Sequence, residues 1–224
     1  MLSRMVQITL AVILTMTCIS CKKDFSDEEY DKAYEVKMAF AEAILGKSDT
    51  MVGHAIIPFQ IGGTVDMYYF PHSIPGTGFA TMELIEPDGS GPKPNRLGTY
   101  ELVAFTKHPS DTIQGSAYNE IERRICGIFT VIGNYSREAK LEPGETAEIP
   151  PDSGESVICL LFDEWNKEGV EPRINDKQFG LLLCMEIYKS EMDYAIANGS
   201  AEVISKLKEK GYYPYSDLDR EPVF

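Results

Sequence analysis

The chain has 224 residues, with 21 Lys and Arg against 35 Asp and Glu, a formal charge of −14. With no basic run to neutralise phosphates it is a poor nucleic-acid binder, and anionic membrane surfaces repel it. The length fits one domain of ordinary size or a compact two-lobed one; the acidity suits a basic protein partner, or serves solubility alone.

At the start, Arg4 precedes a mostly apolar run, "VQITLAVILTMTCI", residues 6–19. That is the length of a signal-peptide core and shorter than the ~20 apolar residues of a membrane-spanning helix. Cys18 and Cys21 form a Cys-x-x-Cys pair. A thiol pair for redox chemistry should follow a strand and open a helix, and a zinc site needs a second ligand pair; neither context is present. Cys18-Ile19-Ser20-Cys21 resembles instead a bacterial lipobox, with Cys18 where a Leu is usual, and "SCKKD" looks like the mature start of Bacteroidetes lipoproteins. The resemblance implies residues 1–20 as a signal peptide, Cys21 as the lipidated residue, and residues 21–25 as a short tether; an uncleaved membrane anchor is the next alternative. Several acyl chains on one residue suffice for stable anchoring. Removing residues 1–20 leaves 20 basic and 35 acidic residues, a charge of −15. The expected location is the bacterial cell envelope, in the periplasmic leaflet or at the cell surface, held to the membrane through the lipid alone.

The folded part is expected over 26–224. Ser26 and Glu29 form a capping box, with Phe25 and Tyr30 as a hydrophobic staple. Tyr30, Ala33, Tyr34, Ala41, Ile44 and Leu45 recur at helical spacing before Gly46 ends the helix. From His54 to His108, "HAIIPFQI", "TVDMYYF", "FATMELIEP" and "TYELVAFTKH" read as strands between Gly and Pro breaks. "EPDGSGPKPNRLG" is a loop. Ile121, Ile125, Ile128, Phe129 and Ile132 share one face of a helix over about 116–134. "LEPGETAEIPPDSGES" carries one short strand. "SVICLLF" and "FGLLLCMEI" are apolar enough to be strands buried on both faces. Ser190 should cap a helix through Asn198 with Gly199 as its stop, and a last helix should run from about Ser200 to Lys210 before Gly211. Helices and strands without regular alternation predict an α+β fold.

Cys126, Cys159 and Cys184 lie in apolar runs and read as core residues, although an oxidising compartment permits a Cys159–Cys184 bridge. His54, His72 and His108 fall at strand edges and could share a metal, or be turn residues; no spacing rule selects them. The serine-hydrolase, zinc-protease, P-loop and dinucleotide fingerprints are absent, and no metal or cofactor is expected. In "TVDMYYFPH", Val65, Met67 and Tyr69 face one side, and Asp66, Tyr68 and Phe70 the other. One side is expected to be core; the other is a contact surface, or core as well. Trp165, in "FDEWNKEGVEPR", is either an exposed anchor or a lid on the end of the core. Asp66, Tyr68 and Trp165 are therefore the candidate partner-binding residues.

The stretch "GGTVDMYYFPHSIPGTGFATMELIEPDGSGPKPNRLGTYELVAFTKH", residues 62–108, resembles the first half of the suppressor-of-fused (SUFU-like) domain. "FGLLLCMEIY" followed by "SEMDYAIANGS" and a Leu/Lys helix resembles its later part, so that about 57–210 is covered. The resemblance implies an α+β fold of mixed sheets with flanking helices, in one lobe or two. It implies a protein-binding domain and not an enzyme: the animal relative clamps a transcription-factor peptide, partly by strand pairing, and bacterial SUFU-like domains commonly neutralise toxins as immunity proteins. The alternative is an envelope enzyme or small-ligand-binding lipoprotein whose site has no recognised motif.

Overall fold

A computed structural model describes residues 24–150, 156–166 and 169–224. Cys18, Cys21 and the expected signal peptide lie outside the described residues. The first helix, α1 (Asp27–Leu45), begins as expected: the Ser26 hydroxyl accepts from the Glu29 amide, and the Glu29 carboxylate accepts from the Ser26 amide at 2.8 Å. The Phe25 and Tyr30 rings meet edge to face, 5.9 Å apart. This reciprocal cap satisfies two amides that the helix end would otherwise orphan.

The strands β1 (Val52–Gly53), β2 (Met67–Phe70), β3 (Thr77–Ala80), β4 (Thr99–Thr106), β5 (Thr146–Ile149), β6 (Ile158–Glu164), β7 (Arg173–Ile174) and β8 (Lys177–Ile187) form one sheet. Its order is β1-β2-β3-β4-β8-β6-β5, with β7 on β8 off this path. β4 and β8 run parallel and the other neighbouring pairs are antiparallel. The central β4 and β8 are buried almost end to end, because helices cover both faces and leave no side of these strands for water.

One face carries α2 (Ala117–Ser136), capped by Ser116, whose Ile125, Ile128, Phe129 and Ile132 pack on Leu102, Leu160, Phe162 and Leu182. At about 2 kcal/mol for each fully buried side chain, that stripe is a main source of stability. The other face carries α1, α3 (Lys189–Asn198) and α4 (Ser200–Glu209), with Phe40, Leu45, Met192, Val203 and Leu207 against Val103, Phe105, Leu181 and Leu183. No described helix is long and apolar enough to cross a membrane.

Three buried carboxylates are each met by a cation from another element. Glu101 of β4 takes Lys37 of α1 at 3.1 Å. Glu186 of β8 takes Arg124 of α2 side-on, Nε donating to Oε2 at 2.6 Å and Nη2 to Oε1. Glu191 of α3 takes Arg220 at 2.6 and 2.8 Å. The C-terminal segment also enters the sheet. β4 and β8 pair only over 99–103 and 179–183. Past that, Ser216 donates its amide to the Phe105 carbonyl at 2.8 Å, and its hydroxyl accepts from the Glu186 amide at 3.1 Å.

The structure corrects several expectations. "HAIIPFQI" is not a strand: β1 ends at Gly53, and the stretch is a loop closing in a 3-10 turn at Phe59–Ile61. "FATMELIEP" leaves the sheet at Ala80, because the Glu101 carboxylate draws the Leu84 and Ile85 amides to itself, each at 3.1 Å. α3 starts two residues earlier than expected: Tyr188, not Ser190, is the N-cap, its amide donating to Glu191 at 2.9 Å. Cys159 and Cys184 are free thiols on opposite faces of the sheet, which rules out a bridge between them. The described residues build on one continuous sheet, not two lobes.

Candidate functional site

The β5 edge is the main open feature. At its start the Gly144 amide donates to the Phe162 carbonyl at 2.7 Å, while the Phe162 amide donates to the Glu145 carbonyl at 2.9 Å. Two residues thus oppose one, a bulge that uses the positive φ of Gly144, 91°. Counting on by twos, the bonded pairs are Ala147 with Leu160 and Ile149 with Ile158. The amides and carbonyls of Thr146 and Glu148 therefore point away from the sheet, and among the described residues no strand pairs with them.

This edge lies in a groove of about 660 Å³. α2 supplies one wall through Val131 and Tyr135, and the α3–α4 corner supplies the other through Ile196 and Ser200. Val131, Tyr135 and Ile196 are exposed apolar side chains. A second hollow of about 520 Å³ continues the groove past Ile149 and Pro150 toward Arg123 and Arg124. Glu145 and Glu148 are exposed along the strand, the latter 3.7 Å from Lys189. An apolar-walled groove with unpaired peptide groups along it fits an extended polypeptide better than a compact ligand.

The three candidate contact residues fall in two places, neither of them this groove. Asp66 precedes β2; its carboxylate accepts from the Ala55 amide and pairs with His54 Nδ1, both at 2.8 Å. Tyr68 is on β2, packed on the sheet beside Tyr34 of α1, ring centroids 5.8 Å apart. β2 turns out to be core on both sides: Val65, Met67 and Tyr69 face α2, and Phe70 and Tyr68 face α1. Trp165 packs on Phe105 at 4.6 Å and Tyr213 at 6.1 Å between ring centroids. It also lines a separate cleft of about 520 Å³ with Ile44, Ser73, Lys208 and Tyr213.

The chemistry-bearing groups do not converge. His54 pairs with Asp66 and His108 with Asp217, and no three His, Cys, Asp or Glu among the described residues are placed to hold a metal. Burial pushes the Cys126 thiol up, further from the thiolate that a nucleophile needs. Glu83 is pushed up to about 7, chiefly by burial and then by the Asp66 and Glu101 charges, against the Asp66 amide that donates to it. It lines a narrow cleft of about 230 Å³ beside Lys37 and Glu86, whose described lining holds no Ser, Thr, Cys or His. The groove was missed in sequence because edge pairing is decided by distant strands. The available signal was a lone short strand, "TAEI", bracketed by Pro143 and Pro150, which is how edges are blunted.

An open mixed sheet with one long helix on one face and three on the other is the fold of suppressor-of-fused proteins. Among solved structures that share it, the one in the Sufu–Fu complex superposes with a TM-score of 0.56 at 11% identity, covering 86% of this chain and 91% of that one. A SUFU homologue from Neisseria gonorrhoeae FA 1090 superposes with a TM-score of 0.54 at 13% identity, covering 87% and 98%. No family model matches the sequence, and no curated protein matches it either.

Proposed function

We propose that this chain is a lipid-anchored protein-binding domain of a bacterial envelope that captures an extended segment of its partner as an added strand on β5. The observation that carries this reading is the unpaired Thr146 and Glu148 backbone in an apolar-walled groove. The likeness to a fold solved in complex with a protein partner supports it. Main-chain bonds to β5 would supply affinity, and alternate side chains of the guest would meet Tyr135 and Val131 on one side and Ile196 on the other. Glu145, Glu148 and the charge of −14 favour basic side chains in the guest and speed its encounter. The role is toxin neutralisation or regulation of that partner, with Cys21 as the tether. Trp165, at its own cleft, is a second contact; Asp66 and Tyr68, toward the opposite sheet edge, stand outside this proposed surface.

The test is cross-linked affinity purification of the tagged, lipidated chain beside Thr146→Pro and Glu148→Pro variants. Proline at an outward-facing amide leaves the β6 ladder intact and blocks a new strand. The expected result is one enriched protein, cross-linked to 145–149 and lost in both variants while their circular dichroism is unchanged. Growth arrest by that protein alone, relieved by co-expression, marks an immunity role. Capture that ignores both prolines refutes strand addition.

A further inference from the structure

The loop between β1 and β2 carries three isoleucines that face solvent: Ile56 is 100% exposed, Ile57 55% and Ile61 72%. Scattered apolar side chains on a surface are ordinary, but three at one tip are not. The loop is also built rather than slack. Phe59 is buried beneath it, with the Arg137 guanidinium over its ring at 5.4 Å. The Gly62 amide donates to the Phe59 carbonyl and the Gly63 amide to the Pro58 carbonyl, each at 3.1 Å. At the other end, Asp66 holds the Ala55 amide and the His54 ring. Gly63 approaches so closely that a Cβ there would sit 1.6 Å from the Ile57 carbonyl oxygen. A hydrogen-bonded frame thus holds the isoleucines out.

Its position says what covers them. Gln60 lines the same small cleft as Tyr30, Asp31 and Tyr34, so the tip stands beside the first turns of α1. α1 starts six residues after Cys21, a distance of at most about 20 Å for a fully extended chain. The lipid that anchors the chain therefore holds a bilayer within reach of this end of the domain. Acidic residues crowd the same end, with Asp27, Glu28 and Glu29 in the first turn of α1, so a zwitterionic surface suits it better than an anionic one. The opposite sheet edge is β5, six strand spacings from β1, or about 29 Å at ~4.8 Å each.

We infer that the 56–61 loop seats its isoleucines in the interface of the membrane that holds the chain, a second contact beside the acyl chains, which turns the β5 groove away from the bilayer. This rests on the lipoprotein reading, and the test separates the two. The full-length chain is expressed with its leader and purified from membranes. It carries Trp165→Phe, which removes its one native tryptophan, plus either Ile56→Trp or Ile196→Trp as reporter. Mass spectrometry of the N-terminal peptide reads acylation of Cys21, and vesicles of acyl-brominated phosphatidylcholine read depth. The expected result is acylated protein with the Ile56→Trp reporter quenched at least twofold more than the Ile196→Trp reporter, which lies at the β5 groove. Acylated protein with both reporters quenched alike, or neither, overturns the membrane contact and leaves the tether. Selective quenching of the Ile56→Trp reporter without acylation sustains the contact and removes the tether. Neither acylation nor quenching overturns both.

Discussion

Lys37→Met should be among the most damaging single substitutions in the chain. The Lys37 and Glu101 side chains are almost wholly buried. The ammonium donates to the Met82 carbonyl, to the Ile85 carbonyl at 2.8 Å and to Glu101. Glu101 also accepts from the Thr81 hydroxyl at 2.7 Å and from the Leu84 and Ile85 amides. Removing the lysine leaves a buried carboxylate without its counter-charge and two carbonyls without their donor. Breaking such a pair costs about 3–5 kcal/mol, a large part of the ~5–15 kcal/mol that holds a domain folded. With a urea slope of about 2 kcal/mol per molar, the unfolding midpoint should fall by about 2 M. The sign of a second substitution is the sharper check. Adding Glu101→Gln removes the stranded charge while keeping an acceptor, so the double variant should be more stable than Lys37→Met alone. A midpoint shift under about 0.5 M, on the same slope, or a double variant weaker than the single, would refute the reasoning.

Two further outcomes are expected. Glu83 has its proton affinity raised from 4.5 to about 7 in the folded chain, so the native state binds the extra proton between those values. Stability therefore falls as pH rises from about 4.5 to 7, by about 1–2 kcal/mol once solvent screening of this partly exposed group is allowed for; chemical denaturation across that range should show the wild-type decline flattened in Glu83→Gln. Arg220→Met strands Glu191, which is fully buried and, among the described residues, otherwise holds the Tyr188 and Val223 amides. It should cost about 3–5 kcal/mol and speed amide hydrogen exchange over 212–224 before the central strands are affected.

Local signals were legible in the sequence and long-range ones were not. The Ser26–Glu29 cap, the α2 stripe and the doubly buried β6 and β8 are set within a few residues, and each stands where its pattern puts it. "HAIIPFQI" has the β-branched residues of a strand but no neighbour for its face, and strand preference is largely a measure of fit to such a neighbour. Only Phe59 of that stretch found the core. The end of β3 depends on Glu101, about twenty residues on, and Glu101 depends on Lys37, 64 residues back; no local window holds all three. Of the candidate contacts, the alternation through Asp66 and Tyr68 was right about which residues share a face. Trp165 found its neighbours in Phe105 and Tyr213, far apart in the chain. The β5 groove needed the strand order, which pairs residues 146–149 with 158–161 and leaves them at the margin.

The seam between β4 and β8 has a consequence for how the molecule is made. Ser216 closes it, and Asp217 then takes the Thr106 hydroxyl at 2.8 Å and the Lys107 amide at 3.0 Å. These contacts join residues 110 and 111 positions apart in the chain. While 216–217 is undocked, β4 and β8 keep their direct pairing over 99–103 and 179–183, but the seam beyond it, at Phe105 and Glu186, stays unsealed. Folding from the N-terminus onward, the habit of many domains, leaves this part of the seam to close late. Residues 216–217 thus act as a latch: they join the far ends of the two central strands only after both strands are in place.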